Sequence, residues 1–487
     1  MTVVQFEGTH ACMAADAARI GRYETSALAA ELAALEAQSV QERAVGGLPN
    51  LEGRPHVVKL IESRAGGLAL GALQTFLART MKLVRVVRPA RRHAVVETAE
   101  GPRQVEQQAR AVRPELSSVA FAPEILEQRP RILIDVTPTA RRPEARGGIP
   151  RVVTALAKAG VETGLALPVC MEDGALISYY RHPAFEGPIT PGPGDIFLIP
   201  DIFWYFVEEY EAYVDLVRKH GGQAGIIAHD IFPISHPSFS PEEVVQTFER
   251  GLRSLLARSV CCISVSKSTE DSIRAYLEAT GFPDRHRLTQ DHFHLAVTPR
   301  EPSSLPVREE IASLFASGRT FLSVGTLEPR KGYAIALDAC DLAWEKGEDF
   351  SYVILGRFGW RSQGIRRRIL NHPLYGKRLF WIADANDSEL DMAYARCRAL
   401  IQSSIDEGFG LPVIEAAAHG APVIASDLPV FREVGGDQVT YFPVASPEGL
   451  ARAMMNALVH KPKPVNVAVP SWEDAMRRLA ACLPPAP

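Results

Sequence analysis

Asp406-Glu-Gly-Phe-Gly-Leu-Pro-Val-Ile-Glu415, continuing Ala416-Ala-Ala-His-Gly420-Ala-Pro-Val-Ile-Ala425, is the most informative run of the chain. It reads as a glycine loop, a helix, a glycine stop and a strand. Pro412 suits the first turn of a helix, where its missing N–H costs nothing. Gly420 suits the position just past a helix end. Gly408 and Gly410 lack a Cβ, so backbone N–H groups there can lie close to a ligand. The loop feeds a helix N-terminus, which favours an anion such as phosphate. It also follows the apolar run Ala399-Leu-Ile401, at the end of a parallel strand where open α/β sheets bind ligands. Two carboxylates flank it, Glu407 and Glu415, and carboxylates accept hydrogen bonds from vicinal hydroxyls. Taken singly, Glu407 reads as a solvated loop residue and Glu415 as a complement to the helix dipole. The joint Glu-Gly-Phe-Gly-Leu-Pro-x-x-Glu pattern is far more specific.

Outward from this run the same grammar repeats. Phe321-Leu-Ser-Val-Gly325, Tyr352-Val-Ile-Leu-Gly356 and Leu379-Phe-Trp-Ile382 precede it as short apolar runs between helical stretches. An earlier series begins at Arg131-Ile-Leu-Ile-Asp135 and continues with Asp195-Ile-Phe-Leu-Ile-Pro200, Gly225-Ile-Ile-Ala-His-Asp230 and Val260-Cys-Cys-Ile-Ser-Val265. Apolar runs alternating with helices mean parallel strands buried on both faces. Thr298 to Ser317, with three prolines, reads as the linker between the two series. The expected organisation is an extension over 1–128, one Rossmann-like domain over 129–300, a second over 318–470, and a closing helix and tail over 471–487.

The 487 residues are 46% hydrophobic and 23% charged, which excludes a mostly disordered chain. A net charge of −4 argues against a polyanion binder such as a nucleic-acid protein. Seven scattered cysteines without a Cys-x-x-Cys read as reduced thiols, in a cytoplasmic setting, rather than a zinc site. MTVVQFEGTH has no basic region followed by an apolar run, so it does not read as a signal peptide.

Residues 1–128 differ from the rest. Leu28, Leu32 and Leu35 recur at helical spacing, so the extension is expected to be mainly helical. Residues 79–113 hold nine Arg/Lys against three glutamates, directly after the apolar run 66–78. Such a charge run is most often a solvated helix and loop. The sharper alternative is a peripheral contact of 66–113 with an anionic membrane, at its inner face.

The 406–415 run resembles the Glu-x7-Glu signature of family 4 of the retaining glycosyltransferases, which have the GT-B fold. The likeness covers roughly 131–480. It includes Val324-Gly-Thr-Leu-Glu-Pro-Arg-Lys-Gly332, Leu355-Gly-Arg-Phe-Gly-Trp360, Ser388-Glu-Leu390 and Ser471-Trp-Glu473. The resemblance implies an α/β protein of two Rossmann-like domains facing a cleft. It implies that Glu407 contacts the donor hexose and that Glu415 holds the ribose hydroxyls of the nucleotide. The Gly408, Phe409, Gly410 and Leu411 backbone would line the hexose and phosphate, and Lys331 with Arg330 would neutralise the diphosphate. The chain has no Asp-x-Asp, so fixed cations and helix N-termini are expected to stabilise the leaving group, with no metal or other cofactor. One departure is Thr326, where many members carry an arginine.

Gly147-Gly148-Ile-Pro-Arg151 resembles the family's acceptor-side glycine loop, in the Gly-Ile-x-Arg-Val form of bacterial polysaccharide and O-antigen transferases, many of them mannosyltransferases. Gly148 would let the chain pass close to the diphosphate, and Arg151 could add positive charge. A lone Gly-Gly also reads as an ordinary strand-to-helix turn. His229, at a strand end, would contact the donor sugar or organise the acceptor; by itself such a histidine is more often structural. Ser264 to Thr269 and Asp384 to Asp387 read as helix caps.

The expected function is transfer of a hexose, with mannose from GDP-mannose first, to a hydroxyl of a glycan or lipid-linked acceptor in cell-surface polysaccharide synthesis. The alternatives are another GT-B enzyme (a sugar-nucleotide epimerase or phosphorylase) and a non-catalytic nucleotide-sugar-binding scaffold.

Overall fold

The computed structural model describes residues 113–114, 130–143, 147–181, 187–297, 305–460 and 462–485. The readings for the N-terminal extension, with the Leu28 to Leu35 helix and nearly all of 66–113, lie outside the described residues.

Two sheets carry the chain. The first holds β1 (Ile132–Asp135), β2 (Ala166–Glu172), β3 (Ala175–Ser178), β4 (Ile196–Ile199), β5 (Gln223–Ala228), β6 (Cys261–Ser264) and β7 (Thr289–His292). Its order is β3-β2-β1-β4-β5-β6-β7. All neighbours are parallel except β2 and β3. The second holds β8 (Thr320–Val324), β9 (Ser351–Leu355), β10 (Leu379–Ile382), β11 (Ala399–Gln402), β12 (Val423–Ser426) and β13 (Thr440–Phe442), in the order β10-β9-β8-β11-β12-β13. Every pair in it is parallel. Helices on both faces bury the central strands: β4, β6, β11 and β12 expose no residue. This is the two-lobed GT-B architecture.

Four strands were not anticipated: β2, β3, β7 and β13. The β2–β3 hairpin turns on Asp173-Gly174, both at positive φ (48° and 79°). Asp-Gly is a strong two-residue hairpin signal. β7 reads Thr-Gln-Asp-His and β13 is three residues long, so neither has the apolar run that marks a buried strand. The expected linker differs as well. Of its described part, Glu309–Leu314 is a short helix with Ile311 buried, and Arg308 before it pairs with Glu389 at 2.6 Å.

The closing helix, Trp472–Cys482, returns to the first lobe. Ser471 caps it by accepting from the Asp474 N–H. Its Met476 and Leu479 share a core with Val152 and Leu156 of the helix Gly148–Glu162. Arg478 reaches Asp291 of β7 at 2.8 Å. The C-terminal edges of both sheets face one cleft, because Gly408 lies against the His229 carbonyl and Glu415 pairs with Arg151 of the other lobe.

Candidate active site

β8 runs into Gly325, then into the single 3₁₀ turn Pro329–Lys331, then into the helix Tyr333–Glu345. Gly332 joins turn to helix at φ 66°, and a Cβ there would lie 1.9 Å from the Ser403 carbonyl oxygen. Only glycine lets this turn lie so close to the end of β11. The Ser403 hydroxyl fastens it by bonding to the Lys331 and Gly332 carbonyls, both at 3.0 Å.

This seating brings Lys331 and Arg330 onto Glu407. Lys331 Nζ bonds Glu407 Oε1 directly, Arg330 reaches Oε2 at 3.0 Å, and Ser404 Oγ donates to Oε1 at 3.0 Å. All three charged side chains are largely buried, with 11%, 21% and 6% exposure. Burial pushes the Glu407 carboxyl upward, but Lys331 and Arg330 outweigh it and hold it down at about 2. Burial alone would lower the Arg330 pKa; Glu407, Glu328 and Asp230 raise it instead. Arg330 also pairs with Glu328 at 3.0 Å and lies over the Phe232 ring of the facing lobe, 5.5 Å from its centroid. The result is a cationic pair in a water-poor crevice, held by one ionised carboxylate.

Gly408 makes the contact between lobes. A Cβ on it would lie 1.8 Å from the His229 carbonyl oxygen. Its own carbonyl accepts from Ser266 Oγ at 2.6 Å and Thr269 Oγ1 at 2.9 Å, at the start of the helix Lys267–Ala279. Ser266 caps that helix, accepting from the Thr269 N–H at 3.0 Å. Phe409 is 5% exposed and its ring packs edge-on to His294, so this side chain is buried where the loop meets the first lobe. Gly410 sits at φ 93° against Phe431 and caps the helix Leu411–Ala418.

His229 directly follows β5. Its Nε2 bonds the Pro200 carbonyl at 2.7 Å, and a carbonyl can only accept, so Nε2 carries the hydrogen. Burial lowers its pKa, leaving Nδ1 as an acceptor in the neutral ring. Glu415 behaves differently from Glu407. It is 4% exposed, and its partner is Arg151 from the opposite lobe, at 2.6 Å. Tyr394 donates to its other oxygen at 2.8 Å. Gly148 begins the helix that carries Arg151, and a Cβ on Gly148 would stand 3.6 Å from Leu411 Cδ1. The cleft therefore gathers Glu407, Lys331, Arg330, Gly408 and His229 at one point, and Glu415, Gly148, Leu411 and Arg151 at a neighbouring one.

Sequence reading missed two carboxylates below the first lobe's edge. Asp135, at the end of β1, is fully buried and accepts from Thr137 and from Tyr210 Oη at 2.7 Å. Burial pushes it up to about 7 despite those donors. Asp201 accepts from Thr139 Oγ1 at 2.6 Å, and burial raises it too. Both directly follow or end strands that were found, so position was the available signal. Thr326 packs on the loop after β9: a Cβ on Gly359 would lie 2.5 Å from its Cγ2. Among the described residues, His292, His294 and Glu433 form one group able to hold a metal ion, and Glu270, Asp291 and His292 another. Neither includes a residue of the Lys331–Arg330–Glu407 cluster.

Several known proteins are similar to this chain. The Escherichia coli "Serotype-specific mannosyltransferase WbdA" is 30% identical over 382 residues, 73% of this chain and 45% of that protein. The Escherichia coli "O-antigen chain mannosyltransferase B" is 28% identical over 215 residues, 43% of this chain and 54% of the other. The chain thus spans about half the length of these curated relatives. A solved Anabaena protein, HepE in complex with UDP and glucose, is 15% identical with a TM-score of 0.48, over 72% of this chain and 94% of its own. Residues 309–468, which build the second sheet and carry Lys331, Glu407 and Glu415, match the family described as Glycosyl transferases group 1. This stretch of the chain, about a third of it, is thus similar to a glycosyl transferases group 1 domain.

Proposed function

We propose that the protein is a retaining glycosyltransferase that moves a hexose from a nucleotide sugar to a hydroxyl of a glycan or lipid-linked acceptor in cell-surface polysaccharide synthesis. GDP-mannose is the proposed donor, supported by the Gly148-Ile-Pro-Arg151-Val resemblance and by relatives named as mannosyltransferases. The observation that carries the reading is the convergence of Lys331 and Arg330 on Glu407 beside the glycine loop.

In this reading the diphosphate lies against Lys331, Arg330 and the backbone of Gly408 to Leu411, at the N-terminus of the helix Leu411–Ala418. Cations preset in a buried crevice stabilise charge as it develops, without reorganising at the moment of reaction. Glu407 keeps both cations in place and accepts from the hexose hydroxyls. In this reading no carboxylate acts as a nucleophile, and the departing diphosphate takes the acceptor proton on the face it leaves. The C1–O(phosphate) bond breaks, the C1–O(acceptor) bond forms on that same face, and the anomeric configuration is kept. His229, neutral and fixed through Nε2, offers Nδ1 to a sugar hydroxyl.

Glu415 binds the ribose hydroxyls while remaining tied to Arg151. The nucleotide therefore sits on an ion pair made by both lobes, which links donor binding to closure and to exclusion of water. No metal is required. The test is a thermal-shift screen of GDP-, UDP-, dTDP- and ADP-sugars in EDTA, followed by mass spectrometry of extended acceptors. A donor that binds only the folded state raises its stability. Stabilisation by GDP-mannose alone is the expected result, and stabilisation by none of them removes the proposal.

A further inference from the structure

β7 ends in a pair of histidines that the transfer chemistry leaves unused. His292 closes the strand, and Phe293 and His294 follow it. The Phe293 N–H still bonds the Ser264 carbonyl of β6 at 3.0 Å, so the extended run continues past the last strand residue. Residues two apart in an extended chain share a face. Phe293 is accordingly buried in the core, while His292 and His294 lie side by side with ring centroids 6.0 Å apart. A carboxylate of the second lobe meets them. Glu433, on the helix Pro429–Gly435, accepts from His294 Nε2 at 2.7 Å. One nitrogen or oxygen from each of His292, His294 and Glu433 lies within 4.8 Å of the other two.

The surroundings hold these groups ready. Glu433 also accepts from the Lys267 and Ser268 N–H groups, at 2.7 and 3.0 Å, which fixes its carboxylate against the first lobe. The largely buried Glu270 carboxylate, held by Arg274, takes the His292 Nδ1–H at 2.9 Å. Nε2 is then the His292 nitrogen with a free lone pair. A carboxylate behind a ligating imidazole fixes its tautomer and strengthens it as a ligand. The other possible group, Glu270, Asp291 and His292, suits a cation less well. Arg274 and Lys267 already pair with Glu270, and Arg478 pairs with Asp291. Among the described ion pairs Glu433 meets only His294. An ion has a way in, because His292 and His294 line a cavity of about 490 Å³ with Asp474 and Arg478 on its far wall.

We infer that His292, His294 and Glu433 form a Zn²⁺ site that fastens one lobe to the other. Two imidazoles and a carboxylate are a zinc donor set, whereas Mg²⁺ and Ca²⁺ take oxygen ligands. Donor atoms around tetrahedral zinc stand roughly 3.3 Å apart. The ion therefore widens the His294–Glu433 contact and takes the place of the Nε2 proton, which goes to solvent. A water completes the fourth position. Two ligands belong to the first lobe and one to the second, so the bound ion is a tie across the interface. None of the three belongs to the Lys331–Arg330–Glu407 cluster, and the metal-independent reading of that cluster is unaffected.

The test is titration calorimetry of ZnCl₂ into the untagged full chain, stripped with EDTA and dialysed, with thermal unfolding of the same samples. One zinc ion binds with a Kd of about 1 µM or tighter and raises Tm, and Mg²⁺ does neither. His294→Gln and Glu433→Gln each lose at least about a hundredfold in zinc affinity, and with it the rise in Tm. Glu433→Gln keeps a side-chain carbonyl for the Lys267 and Ser268 N–H groups, so that variant folds. Glu270→Gln, behind the His292 ring, loses about 10- to 100-fold. Three results overturn the inference. Zinc fails to bind below about 100 µM, Mg²⁺ binds as tightly as zinc, or full zinc affinity survives in either His294→Gln or Glu433→Gln. No donor sugar enters the measurement, so its outcome and that of the donor screen are independent.

Discussion

The two walls of the cleft are made of opposite materials. The second lobe offers glycines, two buried cations and one carboxylate held at about 2. The first lobe offers aromatic rings, and beneath them carboxylates that burial pushes upward, Asp135 to about 7. One wall is therefore prepared to keep negative charge ionised and near fixed cations, as a diphosphate leaving group demands. Beneath the other, burial favours the neutral form of Asp135 and Asp201. Even within the glycine loop the division holds: Glu407 is neutralised by its own lobe, Glu415 by Arg151 of the other.

The largest expected effect breaks the cationic wall. Lys331→Ala leaves Glu407 buried with Arg330 alone, and removing one partner of a buried pair costs about 3–5 kcal/mol. Loss of a preorganised charge also lowers kcat by roughly 10²- to 10³-fold. Adding Glu407→Gln to Lys331→Ala restores melting temperature but not turnover, which separates the structural from the chemical share. Urea unfolding and initial rates read both.

Gly408→Ala comes next. Its Cβ would overlap the His229 carbonyl, so the lobes must part, at a cost of about 1–3 kcal/mol. The expected outcome is a fall in kcat with donor affinity largely kept, measured by titration calorimetry beside steady-state rates.

The pH dependence of stability contrasts the walls directly. Glu407 has a folded pKa below its ordinary value, so its contribution is present above about 4.5 and is lost as pH falls towards about 2. At 6% exposure this amounts to roughly 3 kcal/mol. Asp135 has the opposite sign: its folded pKa is raised, so stability is fully present below about 3.8 and declines as pH rises through about 7. Asp135→Asn therefore gains on the wild type between pH 4 and pH 8, and Glu407→Gln loses ground to it between pH 2 and pH 5. Denaturation curves at several pH values read both, and parallel profiles would contradict the division.

The smallest effect concerns the tie between the walls. Arg151 is 37% exposed, so Arg151→Ala costs about 1 kcal/mol of stability or less. Nucleotide affinity should change only a few-fold, while kcat falls further because closure loses its link to Glu415. Binding and turnover measured on one preparation check this.

Much of the second lobe was legible because its functions are local in sequence. Pro412, Gly420 and the two glutamates lie within fifteen residues, and the helix Leu411–Ala418 falls between them as expected. Lys331 and Glu407 are 76 residues apart, and their meeting needed the resemblance; spacing alone does not bring β8 beside β11. The Arg151–Glu415 pair spans 264 residues and two lobes, and neither residue's neighbourhood announces the other. The aromatic rings that line the cleft were harder still. Trp204 sits in the single 3₁₀ turn Phe203–Tyr205 and Trp360 in a loop, where aromatic residues carry no periodic signal. β7 stayed hidden because Thr-Gln-Asp-His is polar, yet it holds an edge of the first sheet and receives the closing helix.

The central claim is that the Lys331–Arg330–Glu407 cluster is the metal-independent seat of a nucleotide-sugar diphosphate. Titration calorimetry of GDP-mannose in EDTA, against the wild type and Lys331→Ala, tests it most directly. The account predicts binding to the wild type without metal and at least a tenfold loss in the variant. Equal binding by both proteins, or binding by the wild type only after a divalent cation is added, would contradict it.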